Sequence, residues 1–174
     1  MRVVLGITGS IAAYKACELV RLFVKRDDDV HVVMTEHARA FVTPLTFQTL
    51  SRNPVACDLF ADPQEWKPEH ISLASSADLV VVAPATANIL AKMAHGIADD
   101  LLSSTLLATK APVVVAPAMN DGMWANAATQ ANVAALVARG VRVVQPGTGE
   151  LACGTSGAGR MAEPSEILSI CMAS

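Results

Sequence analysis

The chain has 174 residues, the length of one ordinary domain, and a chain of this size buries about 70% of its unfolded surface on folding. A formal charge of −3 excludes the strongly basic surface that a polyanion partner calls for, so nucleic acid is not an expected ligand. Apolar residues make up 52% of the chain and charged residues only 17%, too little polar material to clothe an isolated sphere, and burial against sister subunits is the expected remedy.

The first apolar run, 3–8, reads as a strand leading into a glycine turn. It is not read as a signal peptide, because Gly6, Thr8, Gly9 and Ser10 interrupt it. The spacing then predicts a helix over 11–25, with Ala12, Leu19, Val20, Phe23 and, less closely, Cys17 at near-helical spacing and Lys15, Glu18, Arg21 and Lys25 largely on another face. Further β-branched runs at 30–34, 55–59, 79–83, 113–116 and 141–144 bring the expected strands to six. The longest apolar stretch, 79–91, contains Pro84, Thr86 and Asn88 and is too short to span a bilayer. An Ala-rich helix is expected over 126–139, stopped by Gly140, and a long glycine-rich loop over 146–164.

Most of the strand runs are apolar throughout, without the alternation of a half-exposed sheet. That is the pattern of parallel strands covered on both faces. The expected fold is therefore α/β: a doubly wound, six-stranded parallel sheet in three α/β/α layers, one domain over 1–174. The four cysteines, Cys17, Cys57, Cys153 and Cys171, lack CxxC spacing and paired histidines, so no metal site and no disulfide framework is expected, and a reducing cytoplasm is the simplest location.

Doubly wound sheets bind ligands beyond the carboxyl ends of their strands. The turn from Gly6 to Ile11 lacks the G-x-G-x-x-G order of dinucleotide binders, yet it leads into a helix N-terminus whose amides suit a phosphate; a tight turn without a ligand is an equal reading. Thr35 after the second run, and Thr86 and Asn88 after the fourth, offer polar groups at strand ends, with helix capping by Asn88 or Thr86 as the plainer role. His70 has the side chain for proton exchange at neutral pH, although a lone histidine is more often a surface or capping residue. Asn120 sits at a strand end with a neutral amide that can donate to a carboxylate. Cys153, in a glycine-rich run that also carries Arg160, reads as a nucleophile, a proton donor or a small buried residue. Glycines at 154, 157 and 159 suit a flap.

Together, TGSIAAYK at 8–15, EHI at 69–71, PATAN at 84–88, PAMNDGMW at 117–124 and LACGTSGAGRMAEP at 151–164 resemble the homo-oligomeric flavin-containing cysteine decarboxylases, most closely the phosphopantothenoylcysteine decarboxylases of coenzyme A synthesis. The resemblance runs from residue 3 to about 170. It implies a Rossmann-like flavoprotein with FMN at a subunit interface, in trimers or assemblies of trimers. FMN contacts would fall on Gly9, Ser10, Thr35, Thr86, Asn88 and Ala118, catalysis on His70, Asn120 and Cys153, and substrate contacts on Asn120, Met123, Ala152, Gly154 and Arg160. In many bacteria such a domain is fused to a ligase that makes its substrate.

The implied reaction is FMN-dependent decarboxylation of 4′-phosphopantothenoyl-L-cysteine to 4′-phosphopantetheine. A cysteine carboxylate cannot simply lose carbon dioxide, because the electron pair left on Cα has nowhere to go. Removal of a hydride from Cβ turns the thiol into a thioaldehyde, whose C=S group accepts that pair and yields an ene-thiolate. His70 would assist the thiol's deprotonation, Asn120 would hold the carboxylate, and Cys153 would supply a proton in the reductive half. Peptidyl-cysteine decarboxylases, which stop at the ene-thiol, and non-catalytic regulatory flavoproteins are the alternatives. Trp66, in the 61–69 connection, has no place in these motifs.

Overall fold

The valine-rich runs pair as a single parallel sheet in the computed structural model, which describes residues 1–60, 68–150, 154 and 156–173. The strands are β1 (Arg2–Ile7), β2 (Asp29–Met34), β3 (Leu79–Ala85), β4 (Val113–Pro117) and β5 (Arg142–Val143), in the order β2-β1-β3-β4-β5. Helices α1 (Ala13–Lys25), α2 (Pro44–Ser51) and α8 (Pro164–Met172) pack with Val3, Leu5, Ile7, Val81 and Val114 in one apolar cluster. On the opposite face, Val4, Val33, Val80, Val82 and Val115 meet α3 (Glu69–Ser76), α4 (Ala87–His95), α5 (Leu101–Ala108) and α7 (Ala127–Ala138). Successive strand residues point to opposite faces and both faces are covered, which is why the strand sequences show no alternation.

The sheet has five parallel strands, not the expected six. The run at 55–59 contributes only a bridge, in which Ala56 exchanges hydrogen bonds with Met34 and Val32 at 2.9 and 3.0 Å. Pro54 brings no N–H to the edge, and Asp58 turns its carboxylate onto the Phe60 amide at 3.0 Å, so the ladder does not propagate. The last run, 141–144, is reduced to the short β5 at the sheet's edge. The expected loop at 146–164 instead holds an antiparallel hairpin, β6 (Gly147–Glu150) and β7 (Ser156–Arg160), separate from the main sheet. Its glycines conceal it, since they are poor strand formers.

Strand order reverses direction at β1, between β2 and β3. In such sheets the loops leaving the two strands beside the reversal diverge and open a crevice. Here those loops begin at Thr8 and Thr86, and the short α6 (Asp121–Ala125) follows β4 beside them.

Candidate active site

A cleft of two joined lobes lies over this reversal. The first, about 820 Å³, is lined by Gly9, Ser10, Tyr14, Lys15, Ala118, Asn120, Gly154, Arg160 and Met161 among others. The second, about 530 Å³, is lined by Thr8, Thr35, Glu36, His37, Asn88, Lys92, Asp99 and Asp100 among others. Gly9, Thr86, Ala87 and Met123 face both. Each volume falls in the ~300–1,000 Å³ range of small-molecule sites.

The polar residues at the strand ends are held by their own local bonds. Ser10 accepts from the Ala12 amide at 3.2 Å through its hydroxyl. Thr35 caps the single turn Glu36–Ala40, and Thr86 caps α4 by accepting from Ile89 at 3.3 Å. The capping roles weighed for Thr86 are therefore real, and they fix its orientation in the cleft wall. The start of α1 is different. Ala12 gives it no side-chain cap and its first turn carries no acidic residue, so the positive end of a 13-residue helix faces the first lobe. Gly9 is required by its neighbour: a Cβ there would lie 2.5 Å from that of His37. The small walls at Gly9, Ala87 and Ala118 admit a flat ring, and the positive end of α1 favours an anion.

Asn120 caps α6, its side-chain oxygen accepting from Gly122 at 2.9 Å, and lies beside Met123, which is half exposed. Arg160 reaches the same lobe from β7 and sits 3.5 Å from Glu163. Lys15, for which the sequence suggests no role beyond motif membership, enters the lobe from α1 and bonds Glu163 at 2.8 Å. That hydrogen bond holds the Glu163 carboxyl below its usual range. In the second lobe Lys92 meets Asp99 at 2.6 Å and Asp100 at 3.0 Å. Burial opposes the Lys92 charge, but the two carboxylates outweigh it and keep the ammonium above its ordinary pKa. Composition alone does not reveal this acidic and basic grouping; the folding back of 99–100 onto α4 creates it.

His70, in the first turn of α3, lines neither lobe. Its Nδ1 is buried and meets no hydrogen-bond partner among the described residues. Gly154 borders the first lobe with φ +83°, whereas Ala152 and Cys153 lie outside the described residues, as does Trp66. Burial raises the thiols of Cys17, Cys57 and Cys171, the last to about 11, so none of these three is a thiolate at neutral pH. No group of His, Cys, Asp and Glu able to hold a metal ion occurs among the described residues. None of their helices is long and apolar enough to cross a membrane.

Known proteins share this architecture. The coenzyme A biosynthesis bifunctional protein CoaBC of Vibrio cholerae is 50% identical over 170 residues, 98% of this chain and 43% of that protein. The chain spans less than half the length of the curated relatives it matches. Among solved structures, a PPC decarboxylase mutant complexed with pantothenoylaminoethenethiol superposes with a TM-score of 0.88 at 34% identity, over 97% of this chain and 94% of that one. The FMN-dependent cysteine decarboxylase SpaF gives 0.86 at 33% identity, over 98% and 94%. The flavoprotein family model matches residues 1–174, and the chain belongs to that family.

Proposed function

We propose that this chain is an FMN-dependent phosphopantothenoylcysteine decarboxylase, a carboxy-lyase of coenzyme A biosynthesis that converts 4′-phosphopantothenoyl-L-cysteine to 4′-phosphopantetheine. The observation that carries the reading is the two-lobed cleft at the strand reversal, where residues from the quoted motifs at 8–15, 84–88, 117–124 and 151–164 converge. The cleft suits the cofactor: the positive end of α1 for a phosphate, small residues for a flat ring, and Ser10, Thr35, Thr86 and Asn88 as polar contacts. Gly9 and Ala118 complete that set. Bound FMN supplies a two-electron acceptor and donor for the substrate's Cβ–S unit.

The chain's own groups then handle carboxylate and protons. Asn120 orients the substrate carboxylate as a neutral donor, so that the leaving carbon dioxide is not held as it would be by a cation. Met123, Ala152, Gly154 and Arg160 border the substrate, and the Cys153 thiol donates the proton of the reductive half. His70 takes part from a neighbouring copy. In its own chain it lines neither lobe, and Ile71 beside it is a partly exposed apolar residue. Ile11, Tyr14 and Met123 at the cleft are exposed as well, at 58%, 60% and 50%, and call for cover by another subunit. The assembly proposed is a homotrimer or a multiple of trimers, each chain one domain over 1–174, in the cytoplasm.

Mass spectrometry of the reaction tests this. The purified protein carries a flavin spectrum and converts the authentic substrate to the saturated thiol with loss of carbon dioxide, and Cys153→Ser accumulates the ene-thiol, two hydrogens lighter. A colourless protein that does not take up FMN rejects the reading. Loss of carbon dioxide and two hydrogens from a peptide with a C-terminal cysteine, with phosphopantothenoylcysteine untouched, reassigns the substrate.

A further inference from the structure

Hydrogen bonding between β1 and β3 stops short of the cleft. Their register runs from Val3 with Leu79 to Gly6 with Val82, and no further backbone pair joins the two strands. Beyond that point the strands are linked through one side chain, that of Thr8, which is 2% exposed. Its hydroxyl donates to the Pro84 carbonyl oxygen at 2.7 Å and accepts from the Thr86 amide at 3.1 Å. The Thr8 carbonyl accepts from Ser10 at 2.9 Å and so closes the turn on its own side. On the other side Thr86 uses its hydroxyl to cap α4. A single hydroxyl therefore ties the turn at Gly9 and Ser10 to the turn at Thr86 and Ala87, the two walls of the cleft.

We infer that Thr8 is a positioning residue for the flavin. Its two hydrogen bonds set the separation of the walls, and it acts through Gly9 and Thr86. The inference rests on the cleft being the FMN site. The bond to Pro84 is buried and the one from Thr86 partly so; removing the hydroxyl leaves a carbonyl oxygen and an amide without the partner that joins them, and the walls shift to repair the loss. A serine satisfies the same two partners. A valine, which matches threonine in shape, satisfies neither, and a cysteine offers only a weak donor and acceptor.

The test uses the full chain, stripped of flavin and titrated with FMN itself by quenching of flavin fluorescence, at a temperature where circular dichroism shows each protein folded. Thr8→Ser is expected to bind as wild type, Thr8→Val about ten-fold more weakly or worse, and Thr8→Cys in between. The visible spectrum of the bound flavin shifts in Thr8→Val and returns in Thr8→Ser. Wild-type affinity and spectrum in Thr8→Val overturn the inference, as does a Thr8→Ser protein as weak as Thr8→Val. If Thr8→Val does not fold, Thr8→Cys decides: binding equal to that of Thr8→Ser overturns the inference, and weaker binding supports it. Wild-type protein that binds no FMN overturns the cofactor reading and this inference together, whereas unchanged Thr8→Val against a binding wild type overturns this inference alone.

Discussion

Asn120 accepts a hydrogen bond from Gly122, and an aspartate would accept the same bond from the same place. Asn120→Asp is therefore expected to keep α6 and a melting temperature within about 2–4 °C of wild type. It sets a negative charge against the substrate carboxylate, and carbon dioxide release falls about 10²-fold or more. An intact release rate in a folded Asn120→Asp protein removes Asn120 from the reaction. Carboxylates elsewhere govern the response to acid. Asp29 is held below its usual range by the hydrogen bond with His31, and Glu163 by the one from Lys15. At Asp100 burial pushes the carboxyl up, but the Ser103 amide and Lys92 outweigh it and the net shift is downward. A depressed acid stabilises the fold above its unfolded pKa and loses that contribution as pH falls through the folded value. Melting temperature is expected to be level between about pH 5 and 7 and to drop below about pH 4, with a shallower drop in Asp100→Asn. Equal melting at about pH 3 and pH 7 contradicts this. At this scale the motif residues are legible in the sequence, because their chemistry is written in their side chains. The cap at Thr86 is legible as well, since a threonine between a strand and a helix is a favoured N-cap; the cap at Thr35 and the Lys92 pairs are not, because they need a partner whose position the fold supplies.

The glycine-rich stretch at 146–164 reads as a flexible flap, and much of it is a hairpin seated on the segment after β4. Gly159 has φ +147°, its carbonyl accepts from the Met119 amide at 2.9 Å, and a Cβ there would run into the Met119 carbonyl oxygen. Gly157 approaches Asp121 so closely that a Cβ would stand 2.7 Å from the aspartate Cβ. Glycine permits close approach as well as freedom, and only the neighbour tells the two apart. Gly159→Ala is expected to cost about 1–3 kcal/mol and to loosen the hairpin. The measurements are thermal unfolding and the rate of proteolytic nicking between 147 and 160; unchanged values in both refute the docking argument. The opposite error occurs at 55–59, where β-branched and apolar residues suggest a strand. Pro54 and the Asp58 turn leave a single bridge to β2.

For the whole molecule the informative feature is that His70 lines neither lobe of its own chain's cleft. A site assembled from two copies is expected to recover activity when two inactive variants are mixed through unfolding and refolding. His70→Asn and Asn120→Asp, each inactive alone, should regain up to about a quarter of wild-type turnover in mixed assemblies. No recovery in assemblies shown to be mixed places both residues in one chain's site and rejects the shared-site proposal. Light scattering supplies the accompanying readout, since a stable monomer carrying flavin contradicts the trimer.

The sequence by itself determined the class of fold, because strands covered on both faces must be apolar throughout. It also supplied the thiol, amide and imidazole on which the proposed chemistry draws, because these are local properties. Only the tertiary structure decided the strand number, the hairpin, the hydroxyl link at Thr8 and the absence of His70 from the lining of the cleft. Each of these depends on which remote segment supplies a hydrogen-bond partner or occupies a volume, and that is set when the chain closes on itself.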